Sequence, residues 1–294
     1  MEGLRVNFIW TRLTEWLTTM LVGSIMGNLT GLFDSINARV SEIAVNVGST
    51  PQAWNGGVFT MVQNLSETVM LPIAGIILTF VMTYELIQMI MERNNMHDFE
   101  TFMFFKWIFK TFIAVTLVTN TWNIVMAVFD VAQSVVNSAA GVIVTDASID
   151  LSTIITDLEA QLLAMEIGPL LSLWIQSTLM GILSHVLTIC IFIIVFGRMI
   201  EIYLVTSLAP IPMATMTNRE WGQMGQNYLR SLFALGFQAF LIIVCVAIYA
   251  VLVRSISVGT DVIAALWTCI GYTVLLCFSL FKTASVSKAI FNAH

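Results

Sequence analysis

The chain has 294 residues, of which 58% are hydrophobic and only 10% charged, with a formal net charge of −6. Soluble domains hold about 45–50% apolar and about 25% charged residues, so this composition, with a mean hydropathy of +0.89, excludes an ordinary soluble globular domain. It is that of an integral membrane protein.

The N-terminal stretch "MEGLRVNFIWTRLTEWLTTM" lacks the basic-then-apolar order and the small-residue cleavage site of a removed signal peptide. Trp10, Leu13, Trp16, Leu17, Met20 and Leu21 share one helical face opposite Arg12, Glu15 and Thr19, the pattern of a helix lying in the headgroup plane. Trp16–Phe33 is also free of charge and is the alternative sixth span. Its Gly, Asn, Thr and Ser content makes transfer into lipid poor, so an interfacial helix is expected. Gly23, Gly27 and Gly31 form two overlapping GxxxG steps. They fit either close helix contact in lipid, with another copy of the chain as partner, or flexible turns. Residues 1–67 are read as an N-terminal extracytoplasmic region.

Four charge-free runs follow, Thr111–Phe129, Ile167–Gly197, Ser231–Val253 and Val262–Phe281; a fifth, Thr68–Met91, is interrupted only by Glu85. Each approaches the roughly 20 residues that cross a bilayer as a helix. Lipid cannot satisfy loose amides, and the two-residue alternation of a membrane barrel is missing. The expected fold is therefore all-α and polytopic, with amphipathic interfacial helices and five transmembrane helices near 68–91, 104–129, 170–198, 230–254 and 262–282. Glu85, Lys106, Lys110 and His185 are the polar residues at odds with lipid. Lys106 and Lys110 share a helix face and are candidate partners for Glu85, although snorkelling of all three to the interface is the expected outcome. A lone His185 beside Ser184 and Thr188 reads as a helix-packing donor.

The segment 130–168 carries Asp130, Asp146, Asp150, Asp157, Glu159 and Glu166 without one Lys or Arg. Within it the spacing of Leu158, Leu162 and Met165 predicts a second surface helix, closed by Gly168-Pro169. Basic residues gather instead near Arg93, Lys106 and Lys110, between Arg198 and Arg230, and in the tail at Lys282 and Lys288. Since Lys and Arg favour the cytoplasm, the N-terminus and the acidic segment are expected outside, and loop 205–229 and tail 283–294 inside.

The third span should stop near Ala209, because Pro210 and Pro212 remove amide donors and disfavour helix before each ring. Arg198 is placed either to pair locally with Glu201 or to reach another helix. In the loop, Thr217 or Asn218 is the expected cap, and Trp221, Tyr228, Arg219 and Arg230 anchor the ends or form a docking surface for a cytoplasmic partner. Cys190, Cys245, Cys269 and Cys277 all fall inside spans and read as small apolar residues. No phosphate loop, nucleophile elbow or metal-ligand spacing appears, so neither an enzyme nor a cofactor is expected.

An N-terminal outer region, five spans, an outer loop in the middle and "LAPIPMA" leading into a Trp/Gly loop resemble the TrbL/VirB6 family of type IV secretion proteins, in its short Gram-positive form. The resemblance places Arg198, Pro210 and Trp221 at matching positions. It implies a plasma-membrane translocation subunit that moves a relaxase-bound strand or a protein, partnered by membrane lipids, other secretion subunits including an ATPase, and further copies of itself. The acidic segment argues against a nucleic-acid surface there, since phosphates call for Lys or Arg; nucleic-acid contact elsewhere stays open. The competing readings are a secondary transporter or ion channel using Glu85, Lys106 and His185, and a holin-like protein that remodels lipid.

Overall fold

The computed structural model describes residues 2–91, 101–143, 152–255 and 262–293. The readings that rest on Arg93, Asp146 and Asp150 lie outside these residues. Every regular element among the described residues is helical: α1 (Glu2–Val47), α2 (Pro51–Trp54), α3 (Gly56–Leu65), a π-helical turn (Ser66–Met70), α4 (Leu71–Met91), α5 (Thr101–Thr119), α6 (Thr121–Ile143), α7 (Ser152–Leu163), α8 (Ile167–Ser207), α9 (Pro210–Thr215), α10 (Gly222–Arg254) and α11 (Val262–Ile290). Among the described residues five helices are long and apolar enough to cross a membrane: Gly56–Met91, Phe102–Thr119, Ile167–Ser207, Gly222–Val253 and Trp267–Ile290. The protein is an all-α, polytopic membrane protein.

The helices divide into two compact units. One holds Met1–Val45, Gly141–Ile194 and Ile243–Phe281; the other holds Asn46–Ala140, Val195–Ile242 and Lys282–His294.

In the first unit α1 is a single helix of 46 residues, about 70 Å long at 1.5 Å per residue. It buries Leu21, Val22, Ile25 and Leu29. Trp174 Nε1 donates to Ser24 Oγ at 2.8 Å, and one turn on Asn28 Nδ2 donates to Ser177 Oγ at 3.1 Å. Both contacts advance in the same direction along the two helices, so α1 and α8 run parallel there. α1 is not among the helices long and apolar enough to cross a membrane, and its contacts with α8 are polar side-chain bonds along its middle turns. Of the apolar face read from the sequence, Leu21 is buried while Leu13, Trp16 and Met20 stay exposed. Elsewhere in this unit Trp267 Nε1 donates to Gln176 Oε1 at 3.2 Å, and the Tyr249 and Thr273 hydroxyls lie 2.9 Å apart. Such bonds matter because lipid tails remove the usual hydrophobic drive for helices to pair. The outward face of α8 follows from the same fact: Leu171, Ile175, Leu179, Ile182, Val186 and Ile189 form an exposed apolar stripe at helical spacing. In α7, Leu158 and Leu162 are buried. Gly168-Pro169, expected to close the segment before α8, stands in that helix's first turn, where a proline's missing N–H removes no helical bond.

In the second unit three apolar clusters organise the helices. Phe59, Val62, Trp122 and Tyr203 join α3, α6 and α8. Phe129, Met199, Ile202, Leu232 and Leu235 join α6, α8 and α10. Ala74, Leu78, Val81, Met82, Ala114 and Val118 of α4 and α5 close around Ala214 of α9. The expected span 104–129 is divided at Asn120 into α5 and α6, and α6 carries the helix on to Ile143, well into the stretch read as outer loop. The expected tail is also helix. α11 continues to Ile290, Ser287 Oγ donates to the Ala234 carbonyl at 2.6 Å, and Phe291 packs on Phe233 and Phe237.

Candidate functional site

The connector from Arg198 to Arg230 gathers a set of specific contacts to α3, α4, α8 and α10. At its start Arg198 is buried, and its Nε and Nη2 both donate to the Leu235 carbonyl of α10 at 3.4 Å. Glu201, the local candidate partner, instead meets Lys288 of α11 at 3.3 Å. Arg198 therefore reaches another helix, and a backbone carbonyl, not a carboxylate, receives its hydrogen bonds. One turn further the Tyr203 hydroxyl donates to the Pro51 carbonyl at 2.6 Å, and the Trp54 ring packs on Phe196 and Tyr203 at centroid distances of 5.5 and 5.9 Å.

The helix stops at Ser207, and Pro210 opens α9 at its first turn, where its fixed φ suits a helix start. The stretch read as a cytoplasmic loop is thus mostly folded: Pro210, Met213, Ala214 and Thr215 are all buried. The chain then doubles back at Asn218, whose Oδ1 accepts from the backbone N–H groups of Glu220 and Trp221 at 2.8 and 2.9 Å. Of the two predicted caps Asn218 is the one used. Thr217 Oγ1 has no hydrogen-bond partner. The return requires glycine, since a Cβ on Gly225 would lie 2.6 Å from the Pro212 carbonyl oxygen, and one on Gly222 would lie 2.8 Å from that of Met216. Tyr228 then donates to the Val205 carbonyl at 3.3 Å, tying α10 back to α8.

Trp221 projects from this turn onto α4. Its ring stacks nearly parallel on Phe80 and Tyr84, with centroids 5.7 and 5.5 Å away, and Gln88 Nε2 donates to the neighbouring Glu220 Oε1 at 2.7 Å. Phe80 and Tyr84 are spaced i, i+4, so both rings lie on one helix face. Lone aromatic anchors give no sequence sign of a partner more than a hundred positions away, and this stack is the part of the site that sequence reading missed.

The intramembrane polar residues separate. Lys110 Nζ pairs with Glu85 Oε1, joining α4 to α5, and Glu85 Oε2 has no hydrogen-bond partner. Lys106 is exposed. His185 is exposed on α8. Gly23, Gly27 and Gly31 lie within the continuous helix α1, and a Cβ on any of them would meet nothing within 4 Å. They are not turns, and among the described residues nothing packs against them. Among the described residues no three His, Cys, Asp or Glu side chains gather as a metal site requires.

Apolar spans joined by a buried, glycine-dependent connector define a multi-pass membrane protein whose polar chemistry holds helices together. The family model described as TrbL/VirB6 plasmid conjugal transfer like protein matches residues 36–210, more than half of the chain, and the protein belongs to that family. Arg198 and Pro210 fall within the matched residues and Trp221 beyond them. No curated protein and no solved structure matches the chain. Family membership makes it a component of conjugal transfer, or type IV secretion, that associates with a membrane and with other subunits of that machinery.

Proposed function

We propose that the chain is a non-catalytic, membrane-embedded structural subunit that helps move a DNA–protein or protein substrate across a bacterial plasma membrane. The family match over residues 36–210 carries this reading. Its N-terminus lies outside and its tail in the cytoplasm, as the distribution of Lys and Arg requires. On that orientation the turn 216–221 faces the cytosol, where Arg219, Glu220 and Trp221 are exposed and meet the energising ATPase. The unused glycine face of α1 supports self-association, because small residues let a second backbone approach closely. Deleting the coding sequence should abolish transfer of the mobile element while growth continues. Transfer at the parental level rejects the reading.

A further inference from the structure

The long helix formed by α5 and α6 keeps one outward face and changes its chemistry halfway along. The join at Asn120 preserves helical bonding: the Asn120 N–H donates to the Thr116 carbonyl at 3.1 Å, and that of Ile124 to the Asn120 carbonyl at 3.0 Å. A face followed in steps of three and four residues therefore carries across the join. On α5 it exposes Phe102, Phe105, Phe109 and Phe112. From there it exposes Thr116, Asn120, Asn123, Asp130, Ser134 and Asn137, and its one apolar member is the methyl group of Ala127. Val131 and Val135 flank this stripe.

The opposite side of α6 packs as a membrane helix does. Val125 and Phe129 are buried with Met199 and Ile202 of α8 and Leu232 and Leu235 of α10, and both of those helices are candidate spans. At that same level α8 turns Ile200 and Leu204 outward. One level of the second unit thus shows hydrocarbon on α8 and amides, hydroxyls and a carboxylate on α6. α3 adds to the polar set beside α6: its Phe59 ring meets that of Trp122 at 5.3 Å, while Thr60, Asn64 and Glu67 are exposed. Lipid tails can hydrogen-bond to none of these groups, and an ionised carboxylate among them is costly. No cation from the same segments relieves it, because residues 48–70 and 111–143 contain no Lys or Arg.

We infer that the outward face between residues 116 and 137 borders water, as one wall of an aqueous passage whose remaining walls come from neighbouring subunits. Its chemistry suits a path more than a holding site. Without Lys or Arg it does not grip phosphates, and whatever moves along a passage must leave each position it meets. That the passage carries the transferred substrate rests on the function proposed above; the contact with water does not.

The test uses the full chain in its own membrane, with Cys190, Cys245, Cys269 and Cys277 replaced by alanine. Single cysteines go on the stripe, as Asn123→Cys, Asp130→Cys or Ser134→Cys, and on the apolar side, as Ile200→Cys or Leu204→Cys. A charged, membrane-impermeant thiol reagent is added to intact cells and, separately, to inside-out vesicles. The thiolate is the reactive form and apolar surroundings suppress it, so the stripe should react at least about tenfold faster than Ile200→Cys and Leu204→Cys from one side or the other. Equal rates on stripe and apolar side would place this level outside the bilayer and overturn the passage. A stripe that reacts from neither side is covered by lipid or protein, which overturns it too. Labelled Ser134→Cys should then transfer roughly tenfold less than the same variant unlabelled, because a bulky charge obstructs the path. Undiminished transfer after labelling, in a strain where deletion abolishes transfer, overturns the substrate path alone. Transfer that survives deletion of the chain overturns the proposed function instead.

Discussion

Glycine does opposite things in the connector and in α1. In the connector, added carbons at Gly222 and Gly225 would meet backbone oxygens at 2.8 and 2.6 Å; along α1, those at Gly23, Gly27 and Gly31 would meet nothing within 4 Å. The same residue type closes a contact inside one region and leaves a smooth exposed stripe on the other. What stands opposite a small residue, not its spacing, decides its role.

The sharpest way to break this contrast is Gly225→Val. Overpacking against Pro212 and Met216 should cost about 3 kcal/mol, read as a lowered unfolding temperature in detergent, and an unchanged temperature would show that the connector yields. Next comes the pairing that joins α4 to α5. Lys110→Ala leaves Glu85 with no hydrogen-bond partner and should cost about 2 kcal/mol, whereas the double variant Glu85→Gln, Lys110→Met should recover most of it. Equal losses in single and double variants would mean the pair adds nothing. Trp221→Ala removes the stack on Phe80 and Tyr84 and should cost about 1 kcal/mol in the same measurement. Smallest is Gly27→Leu: the chain's own stability should not fall, since the helix gains part of the ~0.8 kcal/mol that separates glycine from good helix formers. Self-association, measured by cross-linking in membranes, should drop. A clear loss of unfolding temperature would place an internal neighbour where the structure has none.

How much of this could be read from the sequence depended on the range of the forces involved. Pro210 and Pro212 act locally, through a fixed ring and missing N–H groups, so the end of α8 was legible within two residues. Glu85 and Lys110 were legible as candidates because charge in an apolar run demands compensation. Lys106 shared the same face, and only the register of α5 against α4 separated the two lysines. The join at Asn120 was hidden, since Thr111–Phe129 has no charge to mark it and hydropathy averages over the break. The glycines of α1 suggested a weak helix, yet burial of Leu21, Ile25 and Leu29 against a neighbour outweighs their propensity. Arg198's acceptor left no trace at all, because a backbone carbonyl belongs to every residue.

The bond between Trp174 and Ser24 spans 150 positions of sequence. At about 5–20 residues per second, α1 leaves the ribosome roughly 10–30 s before its partner exists. Through that interval Ser24 and Asn28 lack their α8 partners, so the seam of α1 that α8 covers stays open until the later helix has been made.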